Sequence, residues 1–203
     1  MPYRRTPAVQ ARLDAQRVVI FEAAVDSLAT HGYAGCSVAA VATRAGIATG
    51  SVYQHFPSKT GLVVELFRSV VAFEVAAVEE ASTQSEDPVK RIVAVLETFA
   101  SRALKAPRLA YALLAEPVDA PIEAERLVFR RAFIDVVASR IEEAIEVGAL
   151  PPQDAELSAA ALVGATAEVL IGPLTAESAD ASVLEKLSLF TVRALGGSLV
   201  RNA

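Results

Sequence analysis

The chain has 203 residues, room for one medium domain or two small ones with a substantial core. Hydrophobic residues make up 53% and charged residues 21%, with a mean hydropathy of +0.40. That exceeds what an ordinary monomer buries and points to a subunit interface or an internal cavity. Net charge is −5, but residues 1–60 hold six basic groups (Arg4, Arg5, Arg12, Arg17, Arg44, Lys59) against three acidic ones (Asp14, Glu22, Asp26). A basic head on an acidic body suggests that one end meets a polyanion.

Membrane insertion is disfavoured, because the cleanest apolar stretch, Leu157 to Ala167, is bounded by Glu156 and Glu168. The N-terminus, MPYRRTPAVQAR, lacks the apolar core of a signal peptide. A lone Cys36 excludes an internal disulfide and suits a reducing cytoplasm, the expected location.

Helix punctuation recurs along the whole length and no strand-turn-strand pattern does, so the expected class is all-α with about nine helices. The first helix is expected from about Leu13 to His31, stopped by Gly32, a residue that tolerates positive φ. His31 at its end suits the helix dipole as an imidazolium. Short segments follow at 37–45 and about 49–56, separated by Gly46. Pro57-Ser58 precedes a long helix from about Lys59 to Ala81. Asp87-Pro88 provides a cap and a first-turn proline for the next helix, which ends near Ala106 before Pro107. Then come a short segment from Arg108 to Glu116, a long one from about Ile122 to Val147, and one opened by Asp154 that reaches Ile171 before Gly172-Pro173. Ser182 and Glu185 have capping-box spacing, and the final helix is expected to end at Gly196-Gly197. The division is expected at residue 58, with a head over 1–58 and a body over 59–203.

Two short helices flanking Ala45-Gly46-Ile47-Ala48 have the pattern of a helix-turn-helix. Val38, Val41 and Ala42 pack the first; the second offers Thr49, Gly50, Ser51, Tyr53 and Gln54, small or polar groups suited to lying against a groove. Gly50 costs ~1 kcal/mol of helix stability relative to alanine, and is useful where backbone approaches another molecule. The residues alone leave open a plain helical corner, or a scaffold that binds only proteins. With two histidines and one cysteine, no His/Cys metal cluster is available, and no Gly-rich phosphate loop follows a strand. Neither an enzyme nor a cofactor is expected.

The stretch GYAGCSVAAVATRAGIATGSVYQHFPSKTGL, from Gly32 to Leu62, resembles the DNA-binding head of the TetR (tetracycline-repressor-like) family. The matching positions are Gly32-Tyr33, Ser37-Val38, Val41-Ala42, Ala45-Gly46-Ile47, Gly50, Tyr53, His55-Phe56, Lys59 and Leu62. The resemblance implies that Thr49 to Gln54 enter a major groove of double-stranded operator DNA. It implies phosphate contacts from Tyr53, His55 and Lys59, with contributions from Ser37, Thr43 and Arg44. Phe56 and Leu62 are better read as core. Two departures stand out: Ala48 replaces the usual polar cap, and Thr60 stands where an acidic residue is usual. Cys36 replaces the usual threonine. Arg4 and Arg5 are either a minor-groove arm or a solvated tail.

The resemblance also implies a homodimer closed by a four-helix bundle. Small residues including Gly164 and Ala165 allow close helix approach, and Leu187, Phe190 and Ala194 with Val183 form a stripe on the final helix. The middle helices carry more large apolar groups than polar partners. A mostly apolar effector pocket is therefore expected, with Phe67, Phe99 and Phe133 in its lining and Arg102, Tyr111 and Glu168 as polar anchors. The same residues would also suit a solid core. The functional expectation is a repressor that a small lipophilic effector releases from a palindromic operator; an activator without an effector is the alternative.

Overall fold

In the computed structural model, residues 6–176 and 182–196 are described, and Arg4, Arg5, Glu177 and Gly197 lie outside them. Among the described residues the fold is all-helical, with nine helices and no strand. They are α1 (Pro7–Gly35), α2 (Val38–Ala45), α3 (Thr49–His55), α4 (Lys59–Ala81), α5 (Pro88–Lys105), α6 (Pro107–Leu114), α7 (Ala120–Glu146), α8 (Ala155–Thr175) and α9 (Ser182–Ala194).

Local chemistry accounts for most of these boundaries. Thr6 caps α1 by accepting from the Val9 N–H, with Pro7 in the first turn, so the helix starts earlier than its apolar periodicity alone indicates. Ser58 caps α4 by accepting from Gly61 N–H at 3.0 Å. Asp87 and Asp154 do the same for α5 and α8. The α8 helix runs through Pro173 instead of stopping at Ile171. A proline there forfeits one hydrogen bond, but continuation keeps Leu174 buried on the face that also buries Leu170.

The α1–α3 head packs on the start of α4 through Ile20, Leu28, Phe56 and Leu62, all nearly inaccessible. The α4 helix continues against α5 and α7, and α8 packs on α5, α6 and α7. The body core gathers Ile92, Leu96, Ile122, Ile141 and Leu170. By length and composition α8 could cross a membrane. It is two-faced, however: Ala159, Leu162, Thr166 and Leu170 are buried, while Leu157, Ala161, Gly164 and Glu168 form the outer stripe.

That geometry corrects part of the expected dimer surface. Leu187 is only 3% exposed and lies inside the protomer with Val183 and Thr191, on the face of α9 that packs against α5. Phe190 and Ala194 are exposed on the other side, Gly164 is exposed on α8 and Ala165 half-buried. A three- and four-residue stripe cannot by itself separate an internal face from an intersubunit one.

Arg126 of α7 is buried and holds the end of α6. Its Nε donates to the Leu113 carbonyl at 2.9 Å, and its Nη2 donates to those of Glu116 at 2.8 Å and Ala112 at 3.3 Å. Carbonyls of a helix's last turn have no partner within the helix, and this guanidinium supplies one. Replacing Arg126 with leucine is expected to lower stability by ~1–3 kcal/mol through orphaned carbonyls, read as a fall in the urea midpoint.

Candidate nucleic-acid interface and ligand cavity

The α2 helix begins at Ser37, whose Oγ accepts from Ala40 N–H at 3.1 Å, and ends at Gly46 in the left-handed region with φ 67°. That glycine turns the chain sharply, and Val52 of α3 is fully buried beneath it. Thr49, Gly50, Tyr53 and Gln54 are exposed and Ser51 is half-exposed, so α3 lays one side on the head and turns the other to solvent. Ala48 supplies no side-chain cap, as its chemistry requires.

A Cβ added at Gly50 would meet nothing within 4 Å, so no neighbour inside the protein requires glycine there. Gly50→Ala is therefore expected to raise stability by ~0.5–1 kcal/mol, seen in thermal denaturation, while weakening binding of duplex DNA if backbone approach is its purpose. A variant equally stable or less stable than the parent would contradict this account of Gly50.

The remaining head residues are already engaged. Thr43 Oγ1 donates to the Ala39 carbonyl at 3.0 Å, and Arg44 pairs with Asp26. His55 Nε2 lies 3.1 Å from Gln16 Oε1. Lys59 Nζ donates to the Tyr33 carbonyl at 2.8 Å and sits 3.8 Å from the centroid of the Tyr33 ring. Its ammonium is directed toward the end of α1, so the sequence-level picture of a free phosphate ligand omits a competing partner. Cys36 is buried, and burial pushes its thiol pKa up, which favours a structural role.

The head is tied to the body at the same place. At Gly32, φ is 67° and ψ −173°, and α1 breaks there before a last turn. The freed N–H groups of Tyr33 and Ala34 donate to Glu116 Oε2 at 2.8 Å and Oε1 at 3.2 Å. A Cβ on residue 32 would lie 2.8 and 2.9 Å from those oxygens and would displace the carboxylate from its two donors, and the positive φ independently favours glycine there. Asp119 precedes α7 but does not cap it; its Oδ2 accepts from Tyr33 Oη at 2.5 Å and Thr60 Oγ1 at 3.1 Å. Sequence reasoning missed Glu116 and Asp119. Their partners in α1 are 83 and 86 residues away, and Asp119 followed by Ala120-Pro121 reads as an ordinary helix cap.

Burial and then the Asp119 contact push the Tyr33 phenol pKa up to about 12, while Tyr33 first and Thr60 second hold Asp119 below the usual carboxylate range. A raised phenol pKa means the protonated form is favoured in the folded chain. Its stabilisation is complete below the ordinary value of 10.0 and is lost as pH rises through about 12. Tyr33→Phe is expected to remove the highest-pH step from the phenolate absorbance titration and to flatten the stability loss over that alkaline window.

In the body, Phe99 and Arg102 border an apolar cavity of about 50 Å³ whose wall includes Glu74, Leu109 and Leu113. Phe133 borders a second void of about 20 Å³. The other expected pocket residues are elsewhere. Phe67 is buried beneath a groove between α4 and α7, and Tyr111 faces a separate cleft beside His31 and Glu116. Glu168 is exposed on the outer stripe of α8, because a residue two positions after buried Thr166 lies on the opposite side of the helix.

A short helix pair turned by a left-handed glycine, with the second helix facing outward, defines a helix-turn-helix protein. Residues 20–66 match the model for bacterial regulatory proteins of the tetR family. The uncharacterized HTH-type transcriptional regulator YhgD of Bacillus subtilis is 27% identical over 151 residues, covering 71% of this chain and 76% of the relative. The HTH-type transcriptional repressor KstR2 of Mycobacterium tuberculosis is 26% identical over 152 residues, covering 66% and 71%. The Bacillus subtilis regulator FadR, solved in complex with stearoyl-CoA, superposes with a TM-score of 0.70 at 19% identity, covering 88% of this chain and 95% of that one. Residues 20–66 thus carry a segment of the tetR-family type, and the relatives that align over most of the chain are HTH-type transcriptional regulators.

Proposed function

We propose that this regulator is a repressor that holds an operator as a two-fold dimer and releases it when a small, mostly apolar molecule occupies the body. The observation that carries this reading is α3, which turns Thr49, Gly50, Tyr53 and Gln54 to solvent around a glycine that no internal neighbour requires. Residues 1–58 form the reading head and 59–203 the sensing and dimerising body, acting in the cytoplasm. Thr49, Gly50, Ser51 and Gln54 meet base edges; Tyr53 and His55 meet phosphates, joined by Ser37, Thr43, Arg44 and Lys59. The last two must loosen their contacts with Asp26 and Tyr33 to do so. Dimer contact falls to Gly164, Ala165, Phe190 and Ala194.

The names of two relatives support the direction of control and the kind of effector: KstR2 is a repressor, and FadR was solved with stearoyl-CoA. An effector that prefers the DNA-free form ~100-fold supplies about 2.7 kcal/mol of coupling.

The test is binding of the purified protein to the DNA upstream of its own gene across a salt series. Affinity is expected to fall steeply with salt as counterions are released. Gln54→Ala is expected to alter base preference, and Tyr53→Phe to weaken all sites about equally. Absence of any sequence preference at every ionic strength would overturn the repressor reading.

A further inference from the structure

Among the described residues, two small apolar voids of the body share three bordering side chains: Phe99, Leu114 and Phe129. On one side lies the cavity of about 50 Å³ that ends at Arg102 and Glu74. On the other lies the void of about 20 Å³, walled by Phe133, Val163, Thr166 and Ala167 and bordered by the exposed Arg130, the cation that competes with Arg102 for an anionic head. Neither approaches the ~300–1,000 Å³ of a typical ligand pocket. The partition is aromatic: the Phe99 and Phe129 centroids lie 6.3 Å apart, and each stands 4.8 Å from that of Phe133, all edge to face. The side chains common to both linings therefore stand between the two voids.

The outer end differs in chemistry from the inner one. Arg102 holds Glu74 through Nε at 2.6 Å and Nη2 at 2.9 Å, and also borders a surface groove with Thr98, Ser101 and Lys105. Among the described residues no carboxylate pairs with Lys105, and it is exposed. The order from outside inward is thus a polar groove with two cations, an ion pair at the threshold, an apolar chamber, an aromatic partition and a second apolar chamber. Hydrocarbon suits the chambers but gains nothing at Arg102; an anion gains there by replacing Glu74 or binding beside it. A compact ligand fits neither void.

We infer that the two voids, merged across Phe99, Leu114 and Phe129, form one narrow channel for a straight-chain amphiphile with an anionic head at Arg102 and Lys105. This deepens the effector reading above and rests on it for its biological use. Free carboxylates and phosphate-bearing thioesters share the required chemistry.

The experiment is calorimetric titration of the full chain with saturated n-alkanoic acids of increasing length, their coenzyme A thioesters, the matching 1-alkanols, and naphthalene as a compact probe. Operator affinity is measured in parallel. Within either anionic series, affinity is expected to rise about fourfold per methylene up to a length limit. Arg102→Gln is expected to weaken the anionic series about tenfold or more and leave the alkanols unchanged, while Glu74→Gln strengthens it. Ala167→Leu, which narrows the inner chamber, is expected to shift the limit to shorter chains. Preference for the acids over the thioesters would make the head a bare carboxylate; the reverse would make it a phosphate-bearing group in the groove. No binding by either anionic series, affinity blind to length, tighter binding of naphthalene, or loss of binding in Arg130→Gln but not Arg102→Gln would overturn the channel. Length-dependent binding that never changes operator affinity would overturn the effector reading and leave the channel standing.

Discussion

Glu116 accepts two main-chain N–H groups at the broken end of α1, and this contact joins the reading head to the body. A helix interrupted at a left-handed glycine exposes backbone donors, and a partly buried donor without a partner costs about as much as a lost hydrogen bond. The carboxylate that meets them sits at the corner between α6 and α7. Arg126 fixes that corner by gathering the Ala112, Leu113 and Glu116 carbonyls. Asp119, one turn of chain later, adds Tyr33 and Thr60. Three elements distant in sequence, the end of α1, the start of α4 and the α6–α7 corner, therefore share one hydrogen-bonded cluster.

The cluster connects physically to the interior cavity. Leu109 and Leu113 of α6 form part of the cavity wall, and the same short helix leads directly into Glu116. An eight-residue helix held at its last turn by a buried guanidinium is suited to move as a unit. The α4 helix offers a parallel route, since it carries Glu74 at the cavity and Lys59 at the head. Side-chain packing in such interiors is dense, so displacement at one end is not absorbed locally.

Apolar surface is unevenly distributed in a way that explains the composition. On α8 one face is interior, and the other exposes Leu157 and small residues; α9 exposes Leu189 and Phe190. Small residues let helices of two subunits approach, while the exposed aromatic supplies apolar area. The head makes a different compromise. Its second short helix has no side-chain cap and keeps a glycine, so its stability comes from Val52 and the following Phe56 in the core rather than from helix propensity.

Sequence by itself determined the all-helical class, the start of nearly every helix, the Gly46 turn and the outward placement of Thr49, Gly50, Tyr53 and Gln54. Caps, first-turn prolines and left-handed glycines act within a few residues, so they are legible along the chain. Only the tertiary structure decided that Leu187 faces inward, that Phe67, Tyr111 and Glu168 stand apart from the cavity of Phe99 and Arg102, and that Glu116 and Asp119 grip the end of α1. The α8 helix also passed a proline that reads as a stop, because burial of Leu174 favoured continuation. The reason is common to all of these. Periodicity states that a helix has an apolar side but not which neighbour covers it, and a carboxylate's partner 80 residues away leaves no local trace.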